Sequence, residues 1–348
     1  MLLLTTLTMG SSNVDIFNRL PSEVHERLKT KAQSLLAIPT EKRVPFMVHE
    51  IKQVLASQGL RGVERCDPGW ILQGLRGESP RVVAVILNSM PPQTVRSILE
   101  LLPPGIRQRL PPREEIKRIH PEIARSIRWQ FEARFWAMPS PSSKVFNFHE
   151  IIQLDRNELY KLVRALGLVE LGQAFGAVGK MALAELCRRL PSDKTQELIN
   201  AVRTASRVDA PPLKTAQLFL SRIADNFKNT EDFFQKAGLW RLAKASQKEP
   251  LTFLGAFKQR LPREVGLTFQ NYLESVAEIE QTDDAVRLRL QDTILVCVCS
   301  LSRRGILQKR WSEMEIAYAN PQEANEMLAA LEAQNPSVAA MAPEEQIS

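Results

Sequence analysis

A Leu-Pro junction between two amphipathic runs recurs along this chain, and it constrains the fold more than any other feature. It occurs at Asn18-Arg19-Leu20-Pro21-Ser22-Glu23-Val24, Glu100-Leu101-Leu102-Pro103-Pro104-Gly105-Ile106, Arg188-Arg189-Leu190-Pro191-Ser192-Asp193-Lys194 and Gln259-Arg260-Leu261-Pro262-Arg263-Glu264-Val265. The leucine closes one helix into a core. The proline opens the next, where its missing N–H costs nothing. The unit is a helix, a tight turn and a helix, and its recurrence at irregular intervals predicts a stacked, degenerate helical array. Leu20, Leu102, Leu190 and Leu261 should therefore be buried.

Helical period dominates between the junctions. Leu159, Leu162, Val163 and Leu166 fall on one helix face, and Ile116, Ile119, Ile123 and Ile127 repeat the pattern. The run Ile294-Leu295-Val296-Cys297-Val298-Cys299 has the β-branched crowding of a strand. Its flanks, and Gly305 as a natural stop, make it a buried helix. The chain reads as all-α, an irregular superhelix of stacked helical repeats.

Composition fits that reading. Of 348 residues, 44% are hydrophobic and 24% charged, enough for a real core. No stretch approaches the roughly 18 apolar residues of a membrane span. The opening Met1–Met9 lacks the basic region of a signal peptide, so a cytoplasmic location is expected. A net charge of +7 is mild and selects no partner class. Cys66, Cys187, Cys297 and Cys299 form no CxxC pair, which predicts free, largely buried thiols and no zinc site.

Catalytic signatures are missing. No GxxxxGK[ST] or GxGxxG loop occurs, nor HExxH or GxSxG, so no enzyme, metal or cofactor is expected. Nothing in the sequence brings Cys66 and His49 together as nucleophile and base. Arg107 to Arg134 carries eight basic and four acidic residues with Trp129, Phe131, Phe135 and Trp136 towards its end. That is a candidate nucleic-acid face. The preferred reading is a solvated face over an apolar stripe through Ile123, Ile127 and Phe131.

The punctuation divides the chain. Residues 1–12 are expected to be a disordered start and 13–64 an N-terminal helical subdomain. A middle helical domain at 65–138 follows, then a Pro/Ser linker at 139–144. Helical domains at 145–230 and 231–319 precede a helical to disordered tail at 320–348. Leu239-Trp240-Arg241-Leu242-Ala243-Lys244 echoes Leu159-Tyr160-Lys161-Leu162-Val163-Arg164, and Leu254-Gly255-Ala256 echoes Phe175-Gly176-Ala177. The 231–319 segment is thus read as a shortened second copy.

Val145-Phe146-Asn147-Phe148 resembles the Met-Phe-x-Phe motif that opens the C-terminal domain of the flagellar motor switch protein FliG, with Val145 in place of Met and Phe146 and Phe148 matching. The likeness continues through Leu159-Tyr160-Lys161-Leu162, Leu171 to Ala177 and Leu190 to Gln217. Upstream, Gly77 to Leu87 resembles the Glu-His-Pro-Gln motif of the FliG middle domain. Glu78 and Pro80 match, while Ser79 and Arg81 depart. The resemblance spans about Leu75 to Ala224. The family's Gly-Gly hinge and second armadillo repeat are missing between Ile127 and Val145.

The resemblance implies an armadillo-like scaffold on the inner face of the cell membrane. It implies a FliM-like partner at Glu78, Ser79, Pro80 and Arg81, a FliF-like membrane ring protein, a MotA-like stator, and ring-forming self-association. The stator-facing charges depart from the family. Gly176 stands where the family has Lys, and Asp193 where it has Arg. Asn200 and Ala201 replace an acidic pair. Asp209 stands for Arg and Lys214 for an acid. A surface with its charges lost or reversed would not attract an unmodified stator. The alternatives are a diverged homologue serving another membrane or secretion assembly without torque, and a nucleic-acid-binding helical protein using residues 107–134. Salt separates the last, since nucleic-acid affinity falls steeply with ionic strength.

Overall fold

The computed structural model describes residues 62–139, 145–205, 211–224, 229–279 and 283–333. The Leu20-Pro21 junction, His49, Asp209, the 1–12 segment, nearly all of 13–64, most of the 139–144 linker and the end of the tail lie outside the described residues. Within them the chain is all-α, apart from one pair of two-residue strands.

The first part contains α1 (Pro68–Gly74), α2 (Pro80–Asn88), α3 (Pro92–Leu101), α4 (Pro104–Arg107), α5 (Arg113–Lys117) and α6 (Pro121–Glu132). Prolines explain the boundaries. Each of α1, α2, α3, α4 and α6 has Pro at its first position, where no N–H is needed. Pro121 also corrects an expectation. The Ile116–Ile127 stripe is divided between α5 and α6, with the His120 ring accepting from Glu122 N–H at the break. Ile123 is consequently 56% exposed, while Phe131 is buried. Ile71, Val83, Ile86, Ile98 and Phe131 form the centre of this part's core.

Strand β1 (Val145–Phe146) opens the second part and pairs in parallel with β2 (Glu315–Ile316), Val145 opposite Glu315. After a 3-10 turn at Phe148–Gln153 come α7 (Arg156–Val178), α8 (Lys180–Cys187), α9 (Ser192–Thr204) and α10 (Leu213–Ala224). Then follow α11 (Thr230–Ala245), α12 (Leu251–Arg260), α13 (Arg263–Ile279), α14 (Asp284–Arg303), α15 (Arg310–Glu313) and α16 (Pro321–Ala333). Asp155 and Glu158 form a capping box that starts α7. Helix α14 contains the Ile294–Cys299 run, buried throughout. Gly305 stops it at φ +68°: Gly305 N–H donates to Ser302 and Ile306 N–H to Leu301, which satisfies its last carbonyls.

Leu102, Leu190 and Leu261 are all buried. Pro103, Pro191 and Pro262 stand one residue before the next helix, and their carbonyls accept its first bonds, from Arg107, Thr195 and Gly266. All four cysteines are free. Cys66, Cys297 and Cys299 are buried and Cys187 is half-buried. Burial pushes the Cys66 thiol up to about 12 and that of Cys297 to about 11.

The second part is built as two matched halves. Helices α8, α9 and α10 begin at Lys180, Ser192 and Leu213, and α12, α13 and α14 begin at Leu251, Arg263 and Asp284, each 71 residues later. The same interval relates Gly167 to Gly238, Leu171 to Leu242, Ala174 to Ala245, Leu190-Pro191 to Leu261-Pro262 and Ile223 to Ile294. The sequence echo of Leu159 with Leu239 is therefore out of register. Packing selects the register: α7 and α11 cross where both have glycine. A Cβ on Gly167 would lie 1.8 Å from the Phe234 carbonyl oxygen, and one on Gly238 1.8 Å from that of Val163. Val163 and Phe234 are themselves equivalent, so the crossing is a local two-fold. One apolar cluster joins both halves, from Phe146 to Trp311.

Candidate partner-binding surfaces

The Glu78–Arg81 segment is a helix start with Ser79 and Arg81 exposed and Glu78 and Pro80 half-buried. Ser79 caps α2, its hydroxyl accepting from Val82 N–H at 3.4 Å, and Pro80 takes the first helical position. Val83, Ile86 and Leu87 bury the opposite side of α2. Glu78 pairs with Arg134, which also donates to Gly74 O at 2.6 Å. Arg81 reaches Glu115 at 3.0 Å, both side chains well exposed. This edge of α2 is thus tied to α5 and to the residues just after α6. Those ties engage Arg134 and Glu115 of the 107–134 segment.

The face built on α9 is different. Asp193 and Asn200 are exposed, as are Gly176 and Lys214 on α7 and α10. Asn200 accepts from Gln196 at 3.0 Å. Ala201 does not belong to this surface. Its carbonyl lies against Gly172, where a Cβ would come within 2.6 Å of it. Glu197, one turn on from Asp193, pairs with Arg164. Arg164 also donates to Glu231 at 2.8 Å, and Lys194 lies 3.3 Å from Glu231 and 3.4 Å from Glu197. Burial alone would raise the Glu231 carboxyl, but Arg164 and Lys194 hold it below the usual range. Lys194 also lies 3.6 Å from Asp193, so it links the exposed Asp193 to Glu197 and Glu231.

Val145, Phe146 and Phe148 are structural. Phe146 is fully buried with its ring centroid 5.2 Å from Trp311, and Phe148 packs on Phe253 at 5.6 Å. Trp311 in turn donates to buried Glu158 at 2.7 Å.

Beneath the glycine crossing lies a polar cluster that the sequence reading missed. Glu170 accepts from Arg241 at 2.9 Å and Lys244 at 2.8 Å, and Gln173 accepts from Arg241 at 3.0 Å. All four residues are buried. Burial would raise the Glu170 carboxyl, but Lys244 and Arg241 bring it below its ordinary value. The 71-residue interval relates Glu170 to Arg241 and Gln173 to Lys244, so the local two-fold runs through this cluster as well. A signal was present: Glu170 lies four residues beyond Leu166 on the apolar stripe of α7, where an ordinary surface carboxylate would not stand.

Among the described residues no helix is long and apolar enough to cross a membrane, and no cluster of His, Cys, Asp and Glu is arranged to hold a metal. The fold is all-helical, with two charged edges. Residues 68–141 match the family description "FliG middle domain". That segment contains the whole Glu78–Arg81 helix start, so the resemblance to FliG stands there on more than two matching residues. A solved structure titled "Crystal structure of Flig (residue 116-343) from H. Pylori" aligns over 72% of this chain and 96% of its own, at 12% identity and a TM-score of 0.23. A score of that size does not describe a shared global arrangement. Among curated proteins nothing matches.

Proposed function

We propose that this protein is a non-enzymatic, FliG-like switch scaffold at the cytoplasmic base of a flagellar motor. The FliG middle-domain match over residues 68–141 carries the reading. In it, Glu78, Ser79, Pro80 and Arg81 are the contact for a FliM-like partner. The α2 start, rimmed by Arg81, Glu115 and Arg134, supports that role, since rim charges tune encounter and register. FliF-like and MotA-like partners, and a ring of copies, complete the proposed assembly.

The test is a pull-down with a FliM-like protein. The double variant Glu78→Lys, Arg81→Glu should lose the partner while keeping its helical signal. Retained binding would move the interface elsewhere.

A second reading is favoured by the α9 face: a FliG-like scaffold that does not generate torque. Its support is the exposed Asp193 where a stator-facing cation is implied. Asp193→Arg in cells that make this protein distinguishes the two. Altered motility supports a working stator face, and unchanged motility supports the torque-free scaffold.

A further inference from the structure

The matched halves differ at one place in a way that creates a cavity. In the first half, Arg164, Glu231 and Lys194 close the groove above Phe234 and the Leu190-Pro191 junction with ion pairs. Their counterparts 71 residues away, in the one direction or the other, are Gln235, Tyr160 and Val265. In the second half these three, with Val163, Leu261 and Pro262, surround an open cavity of about 240 Å³. Where one half has two cations and an acid in contact, the other has an amide, a phenol and a methyl pair that do not meet. The ion pairs have been lost and nothing has replaced their volume.

The chemistry of the opening is specific. Its walls are mainly apolar, with Leu159 adding to those above. The side chains of Tyr160 and Gln235 have no hydrogen-bond partner among the described residues. Two guanidinium groups, Arg156 and Arg260, also line the cavity, and no carboxylate does. Arg260 donates to the carbonyls of Ile152, Arg65 and Leu154 and is paired with no acid among the described residues. Arg156 forms an ion pair with Asp67 at 3.5 Å, and its other N–H groups have no partner among the described residues. An apolar chamber with a few convergent polar groups and one net positive charge, two guanidinium groups against Asp67, suits an apolar anion.

We propose that this cavity binds a small carboxylate with an apolar body the size of a phenylalanine side chain, Arg156 taking the acid and Val163, Leu261 and Val265 the body. The acid belongs either to a free organic acid or to the C-terminal residue of a peptide. The inference is independent of the motor reading, because it rests on the difference between the two halves alone.

Methyl NMR of the full chain tests it, with 3-phenylpropionate, 3-phenylpropanamide and the peptide N-acetyl-Gly-Gly-Phe as probes. The acid should shift the Val163 and Val265 methyls, and the amide should bind at least roughly fivefold more weakly, as should the acid to Arg156→Gln. Tighter binding of the peptide than of the free acid would identify a peptide terminus as the source, and the reverse a free acid. The triple variant Tyr160→Glu, Gln235→Arg, Val265→Lys installs the ion-paired set that the first half already accommodates, and it should abolish binding with the fold retained. Equal binding of acid and amide, shifts away from the cavity, or binding unchanged in the triple variant would each overturn the proposal.

Discussion

The halves that begin at α7 and α11 have the same helix order, spacing and crossing, yet they meet their surroundings differently. At the Leu261-Pro262 junction the second half is clamped by the first part of the chain. Trp70 Nε1–H donates to Leu261 O at 3.0 Å, Asp67 N–H to Gln259 O at 2.8 Å, and Trp136 N–H to the Gln259 side chain at 3.0 Å. At the equivalent Leu190-Pro191 junction, Arg188 and Arg189 are exposed and, among the described residues, pair with Glu185 of the helix just before them. One copy of the unit has become an internal socket and the other an outer surface. The difference teaches that duplication conserves what the crossing needs, and leaves the edges free to diverge in charge.

The largest effect expected is at the shared centre. Glu170→Gln leaves Arg241 and Lys244 buried without a carboxylate, and should lower stability by about 3–5 kcal/mol in a urea titration. The pH dependence follows from the depressed Glu170 carboxyl. Its contribution is complete above the unfolded value near 4.3 and is lost as pH falls through the lower folded value. The gap between parent and variant should therefore narrow in acid. A gap that widened in acid would remove Glu170 from the role given to it.

The glycine crossing comes next. Gly167→Ala and Gly238→Ala each drive a methyl into a facing carbonyl and should each cost about 3 kcal/mol, the upper end of overpacking effects. Near-equal losses would sharpen the two-fold comparison, while tolerance of one alone would break it. Leu261→Ala and Leu190→Ala should both destabilise by roughly 2–5 kcal/mol, Leu261 more, because it is 3% exposed against 9% for Leu190. The smallest effect expected is at the divergent edge. Arg164→Gln should cost less than about 1 kcal/mol, because its partners Glu197 and Glu231 are a third or more exposed in water.

Local chemistry made much of this legible. Each Leu-Pro junction has its own steric cause, so Leu102, Leu190 and Leu261 and the helix boundaries beside them were readable one at a time. The same is true of Ser79 and Pro80 at the start of α2 and of Gly305 at the end of α14. Where two neighbours competed, the local reading failed. The Ile116–Ile127 stripe looked continuous, but Pro121 ends one helix turn and begins another, which turns Ile123 outward. Val145 and Phe146 open the second part as read, but nothing local shows that they pair with Glu315 and Ile316, far along the chain.

The sequence by itself determined that this chain is helical, where its helices turn, and which of its faces are apolar, because propensity, capping and periodicity act over a few residues. Only the tertiary structure decided the register of the two halves. Gly167 and Gly238 are two glycines among fifteen until α7 and α11 press together there. It also decided which charges pair. Lys194 and Glu197 lie near Asp193 in sequence, and Arg164 and Glu231, distant in sequence, pair with them. Charge pairing depends on distance in space, and that is set by how helices cross and not by how their residues are spaced along the chain.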